Sequence, residues 1–205
     1  MKTVEATLVR GRPGAGTVWE VILQAPGEAA AWLVPGQRCV GKYIHDGKTI
    51  GARVYPLEVE EQDQSCRVLA LTPDASLGRG PDRRVWLGSA KPVIPRATEV
   101  LARDNRGRRV LLVGEGIEQA ALIWPGRCLL AQGARVTAVL VAGRGKAAFA
   151  HRYLTDAALQ WIFAVPGVAT RNVIGELLDG QSFDTVWVSG PSRLRRTVMV
   201  VLSGL

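Results

Sequence analysis

Three short stretches carry residues that could do chemistry. In VLLVGEGIEQAAL, residues 110–122, Gly114 and Gly116 stand where a continuous apolar run gives way to a helical pattern. Backbone N–H groups and the positive end of a helix can hold an anion there, provided glycines let it approach. The third position of a G-x-G-x-x-G turn is Gln119, however, and Glu115 and Glu118 bring two carboxylates to the same turn. Each would repel a pyrophosphate by on the order of 1 kcal/mol or more at partly screened distances. With no phosphate present, acidic side chains suit a helix's first turn by roughly 0.3–1 kcal/mol. The stretch is therefore expected to keep the scaffold of a dinucleotide site without its ligand, which speaks against direct NAD(P)H oxidation.

The second stretch is ARVYP, residues 52–56. Strand alternation sends Arg53, Tyr55 and Leu57 to one face and Val54 and Pro56 to the other. An arginine beside a tyrosine offers a cation for a pyrophosphate and a ring for packing on a planar group. Pro56 supplies no N–H, and in a strand it marks an edge or a bulge. The third stretch is DTVWVSGPSRLRRTV, residues 184–198, in which Gly190 and Pro191 form a turn between an apolar run and a basic helical segment. In TPDASLGRGPDRR, residues 72–84, Ser76, Gly78 and Gly80 read as a surface turn.

Other chemistries find no support. There is no G-x-S-x-G elbow and no GxxxxGK[ST] loop. Cys39, Cys66 and Cys128 are widely spaced without a CxxC pair, and His45 and His151 lack metal-ligand spacing, so neither a metal nor an iron–sulfur cluster is expected. No apolar run approaches the roughly 20 residues of a membrane span, and MKTVEATLVR has no signal-peptide core. A soluble, cytoplasmic protein is the expectation.

Arginine supplies 21 of the 26 basic residues behind a formal charge of +8, with clusters at Arg79, Arg83 and Arg84, at Arg103–Arg109, and at Arg193, Arg195 and Arg196. No aromatics interleave with them for base stacking, so nucleic acid is not the expected partner. An acidic protein partner or a phosphorylated cofactor fits the clusters, and a plain solvated surface fits them best.

The elements that must position these residues fall into two sets. Residues 1–100 read as about six short strands separated by turns such as Pro26-Gly27 and Pro35-Gly36, which suggests a small antiparallel barrel or sandwich. After the basic stretch RDNRGRR the pattern alternates strand and helix over residues 108–205, the signature of an open, mostly parallel α/β sheet. Strands are expected at RVLLVG, ARVTAVLVAG, LQWIFAV and FDTVWVSG. Helices are expected at KAAFAHRYLTDAAL, RNVIGELLDG and PSRLRRTVMVVL, and over the stretch ending near Gly133.

A barrel followed by such a domain resembles the ferredoxin–NADP reductase superfamily, nearest to the electron-transfer subunit of dihydroorotate dehydrogenase. LVPGQ (Leu33–Gln37) resembles that family's PGQ turn, ARVYP its RxYS flavin motif, and VLLVGEGIEQAAL and DTVWVSGPSRLRRTV the glycine turn and Cys-Gly-Pro turn of its pyridine-nucleotide domain. The resemblance implies FAD as cofactor, with Arg53 on its pyrophosphate, Tyr55 on its isoalloxazine and Pro56 where the family has a hydroxyl residue. It assigns the nucleotide turns to Gly114, Gly116, Gly190 and Pro191, with Ser189 in place of the cysteine. The cysteine-rich iron–sulfur segment has no counterpart among the three cysteines. Two functions follow as expectations: an FAD-carrying electron-transfer subunit that exchanges electrons within a protein complex, and a non-catalytic scaffold that has lost its cofactors.

Overall fold

The computed structural model describes residues 3–14, 17–79, 83–88, 91–93, 97–142, 148–155 and 159–204. It divides into two compact units, Met1–Val93 and Ile94–Leu205.

The first unit contains β1 (Thr3–Pro13), β2 (Trp19–Pro26), β3 (Gln37–His45), β4 (Lys48–Glu61), β5 (Ser65–Thr72), α1 (Ala75–Gly78), β6 (Arg83–Gly88) and β7 (Lys91–Pro92). Six strands pair antiparallel in the order β4-β5-β2-β1-β6-β3, and β3 returns to β4, so the barrel is closed; β7 extends β3. Asp46-Gly47, both at positive φ between the paired His45 and Lys48, makes the two-residue turn that a D-G sequence favours. Alternate residues such as Leu8, Leu23, Tyr43, Val54 and Val68 fill the interior.

Cys39 and Tyr43 are ionisable groups of that interior. Burial pushes the Cys39 thiol from 9.0 up to about 12. Burial, and then the carboxylate of Asp74 that accepts its hydroxyl at 2.9 Å, push Tyr43 from 10.0 up to about 12. The unfolded chain releases both protons at lower pH than the barrel does, so their contribution is complete below about pH 9 and is lost as the pH rises towards 12. Urea midpoints should fall across that window, and Cys39 should resist a thiol reagent at pH 8 until the barrel unfolds. Reaction of Cys39 in the native state would contradict this burial.

The second unit contains α2 (Ala97–Leu101), β8 (Arg109–Glu115), α3 (Ala120–Ala131), β9 (Arg135–Val141), β10 (Leu159–Ala164), α4 (Val168–Gly180), β11 (Thr185–Ser189) and α5 (Ser192–Ser203). Its four strands are parallel in the order β10-β9-β8-β11. The central β8 and β9 are apolar and buried almost throughout, as a strand covered on both faces must be. Ile174 of α4 and Leu194 and Val198 of α5 pack with Leu111 and Val113. On the opposite face Gly126 of α3 lies against Leu112, and a Cβ there would stand 3.3 Å from it.

α3 stops where the glycine signal places its end. The Gly133 N–H donates to Leu130 O and the Ala134 N–H to Leu129 O, with Gly133 at φ +80°, a complete Schellman motif. Buried Asn105 then holds the approach to β8, its amide donating to Val100 O, Arg103 O and Gln132 Oε1.

One expected helix is absent. The KAAFAHRYLTDAAL stretch contains, among its described residues, only a 3-10 turn at Ala150–Arg152. The N–H groups of Phe149 and Ala150 donate instead to the side chain of Gln119, at 3.1 and 3.3 Å, and Arg127 Nε donates to Tyr153 O. Tertiary capture of the backbone overrides the local helical pattern.

Candidate functional site

On the barrel, β4 carries the RVYP motif. Its pairing with β3 ends at Val54 and its pairing with β5 begins at Tyr55, with a bulge between Pro56 and Glu58. Pro56 therefore sits at a bulge rather than an edge, beyond the last β3 partner, where its missing N–H breaks no ladder bond with that strand. Its carbonyl accepts the N–H of Gly36 at 3.2 Å, while Gln37 N–H closes the Pro35-Gly36 turn onto Val34 O at 3.3 Å. The PGQ turn and the RVYP strand, separate in sequence, are thus joined directly.

Arg53 is exposed, whereas Tyr55 is completely buried. The turn after β5 is occupied by the chain itself: Asp74 Oδ1 accepts from the N–H groups of Ser76 and Leu77, and its Oδ2 accepts from Tyr43. Arg83 lies over the Tyr43 ring and donates to Ser76 O. Ser76 and Gly78 belong to the four-residue α1, capped by Asp74, in place of the expected surface turn; Gly80 lies outside the described residues.

These residues meet an FAD group unequally. The exposed Arg53 carries the charge that a pyrophosphate would need, on a stretch of β4 that pairs with β3 on one side through Val54. The Tyr55 ring offers no open face, so contact with an isoalloxazine requires its cover to move.

On the α/β unit the predicted residues do converge. Parallel pairing sets Ser189 of β11 beside Gly114 of β8, so Gly114, Gly116, Gly190 and Pro191 gather at the carboxyl ends of two neighbouring strands. From β8 the chain runs outward through β9 and β10, then returns to the other side of β8 as β11. This reversal is the switch point at which open α/β sheets form ligand crevices.

The crevice is filled from within. Glu115 is 4% exposed and its carboxylate is held by Arg193, from the first turn of α5. Gln119 is fully buried, with Nε2 donating to Val141 O at 3.0 Å and Oε1 accepting the two N–H groups already described. Ser189 Oγ donates to Glu118 O at 2.7 Å, and Arg195 donates to Gly190 O. A Cβ at Gly114 would stand 2.7 Å from Leu122, and one at Gly190 3.2 Å from Glu115 Cβ. Glycine at these two positions thus serves close packing of the chain on itself.

Sequence reading treats the glutamates as first-turn charges; the structure makes Glu115 the buried half of an ion pair. Arg193 is 57% exposed, so the two truncations should differ. Arg193→Ala leaves a buried carboxylate without its cation and should cost about 2–3 kcal/mol. Glu115→Ala leaves a guanidinium that water can reach and should cost about 1 kcal/mol. Equal losses in urea denaturation would overturn this asymmetry.

Motif reading leaves out Asp74, and it names Gln119 and Arg193 without the packing and ion-pair roles they have here. Gln119 carried a signal, since it occupies the third glycine position of the turn. Among the described residues no group of three or more His, Cys, Asp or Glu could hold a metal ion, and no helix is long and apolar enough to cross a membrane.

No protein-family model matches the chain, and no curated protein matches its sequence. Its fold is that of ferredoxin reductase-like proteins. The ferredoxin reductase in carbazole 1,9a-dioxygenase, in its FAD apo form, aligns with 99% of this chain at TM-score 0.64 and 16% identity. Phthalate dioxygenase reductase, a modular structure for electron transfer from pyridine nucleotides to [2Fe-2S], aligns with 98% at TM-score 0.64 and 16% identity. An NADH-dependent reduced ferredoxin–NADP oxidoreductase aligns with 97% at TM-score 0.63 and 18% identity. The chain spans 61%, 64% and 72% of those three proteins, respectively.

Proposed function

We propose that this chain is a ferredoxin reductase-like electron-transfer component that binds FAD on its barrel and exchanges electrons with a protein partner rather than with NAD(P)H. The resemblance to dihydroorotate dehydrogenase electron-transfer subunits belongs to the same proposal. The observation that carries it is the contrast between the two units. The barrel keeps an exposed Arg53 on a strand clamped by the PGQ turn, while the α/β crevice is closed by Glu115, Arg193 and Gln119.

FAD, when bound, supplies the one- and two-electron chemistry. Arg53 binds and orients its pyrophosphate by charge-assisted hydrogen bonds. Tyr55 borders the ring once uncovered, and Pro56, with its carbonyl engaged by Gly36, gives the ring no hydrogen-bond donor. In the other unit a dinucleotide phosphate would have to displace the Glu115 carboxylate from Arg193 and enter a turn whose Gln119 side chain is already committed to Val141, Phe149 and Ala150. The arginines of α5 that remain exposed suit an acidic partner surface.

The test is titration of purified protein with FAD and, separately, with NADH and NADPH. FAD should produce a bound-flavin spectrum, slowly, because Tyr55 must be uncovered first. Arg53→Ala should weaken uptake by about tenfold or more, the worth of one charge-assisted contact. NAD(P)H should neither bind nor bleach the flavin. Protein that takes up no FAD would end the flavin reading and leave an adaptor role. Rapid bleaching by NADH would end the claim that the crevice is closed.

A further inference from the structure

β10 is an edge strand with unusual chemistry. Among the described residues it pairs only with β9, in unbroken parallel register from Leu159↔Val136 to Ala164↔Val141. Proteins commonly protect such an edge with a lysine, a bulge or a proline inside the strand. β10 has none of these, and residues 159–168, LQWIFAVPGV, contain no ionisable side chain in a chain of formal charge +8.

The strand is also apolar where it meets solvent. Ile162 and Ala164 pack towards the core shared with α4, which sends Trp161 and Phe163 to the other face. Phe163 is 57% exposed, and Val165 and Val168 beyond it 60% and 74%. His151 packs edge-on against both rings, at 6.2 Å from Trp161 and 5.2 Å from Phe163. Burial, and then the neighbouring Arg152 charge, hold that imidazole below its ordinary range, so it adds no charge to the patch at neutral pH. The opposite edge strand, β11, has no large apolar side chain among the exposed ones.

We infer that β10 is a self-association edge, at which two copies of this chain pair antiparallel about a two-fold axis through Ile162 and join their sheets. The pattern is self-complementary about that residue. Trp161 falls opposite the partner's Phe163, Gln160 opposite the partner's Ala164, and Leu159 opposite the partner's Val165, each pair occurring twice. Aromatic cross-strand pairs favour that register. Two molecules of charge +8 repel, and the strip limits that cost at the point of contact, because residues 159–168 of each copy bring no ionisable side chain to it.

Analytical ultracentrifugation of the full chain across the micromolar range tests the inference. Wild type should pass from monomer to dimer as concentration rises. Phe163→Lys, at an exposed position, should weaken dimerisation by about a hundredfold, because the substitution enters twice and opposes like charges. Met199→Lys, also exposed but on α5, should leave the dimer unchanged. Amide exchange of wild type supplies a reading that needs no variant: residues 159–164 should exchange more slowly as concentration rises. A wild type that stays monomeric, including one whose β10 serves a different partner, overturns the proposal. So does a dimer that survives Phe163→Lys, or exchange in β10 that ignores concentration.

Discussion

Gln119→Ala should destabilise the α/β unit by about 3–5 kcal/mol, because three buried backbone groups lose their partner together. The side chain receives the N–H groups of Phe149 and Ala150 and donates to the carbonyl of Val141, all away from water. An unsatisfied buried donor or acceptor costs about 1–3 kcal/mol, and the missing amide also leaves a cavity between the end of β9 and the Phe149–Ala150 backbone. Urea denaturation followed by far-UV circular dichroism gives the magnitude. Gln119→Met separates the contributions: it fills most of the amide's space without its hydrogen bonds, so it should lie between wild type and alanine. A loss below about 1 kcal/mol for the alanine variant would mean that water replaces the amide.

Gly11→Ala should cost the barrel about 3 kcal/mol or more. A Cβ at Gly11 would stand 2.0 Å from the carbonyl oxygen of Gly78 in α1, which is backbone and cannot rotate aside. Nor can α1 retreat easily, since its own Gly78 lies against the ring of Trp19, with a built Cβ 2.3 Å from it, and Arg79 covers that ring at 5.7 Å. β1, α1 and Trp19 are thus stacked without slack. Gly51→Ala is the control: nothing lies within 4 Å of its Cβ position, and its effect should stay within about 0.5 kcal/mol. Comparable losses for the two variants would show that the Gly78 contact does not decide the first, because alanine in place of glycine lowers the entropy of the unfolded chain and by itself stabilises.

The division between what could be read from the residues and what could not follows the range of the interactions. The β-branched and aromatic runs of β1 to β6 and the Gly133 stop are local signals, and each stands where the pattern puts it. The doubly buried β8 and β9 were equally legible, because a continuous apolar run has few other places to go. The missing helix before β10 was not, since the competitor for its backbone is a side chain some thirty residues earlier. The Glu115–Arg193 pair spans 78 residues and becomes visible only when β8 and α5 are set side by side. In the motif of β4, alternation indicates where Arg53 and Tyr55 point but not what covers them, and the complete burial of Tyr55 is a property of the packed unit.

The circular strand order of the barrel has a consequence for how the chain is made. β1 leaves the ribosome before the other strands of its unit, yet one of its two neighbours is β6, and the pair Thr3↔Gly88 closes only after almost the whole unit has been synthesised. Until then β1 to β5 form at best an open curl, with the β6 side of β1 unsatisfied. Closure joins segments distant in sequence, the kind of step that slows folding and prolongs exposure to aggregation. The α/β unit repeats this in an open sheet: β8 pairs with β9 as soon as that strand follows, and with β11 only much later, at Val110↔Thr185. Each half of the polypeptide therefore waits during translation on its own last strand, the barrel for closure and the open sheet for its second edge.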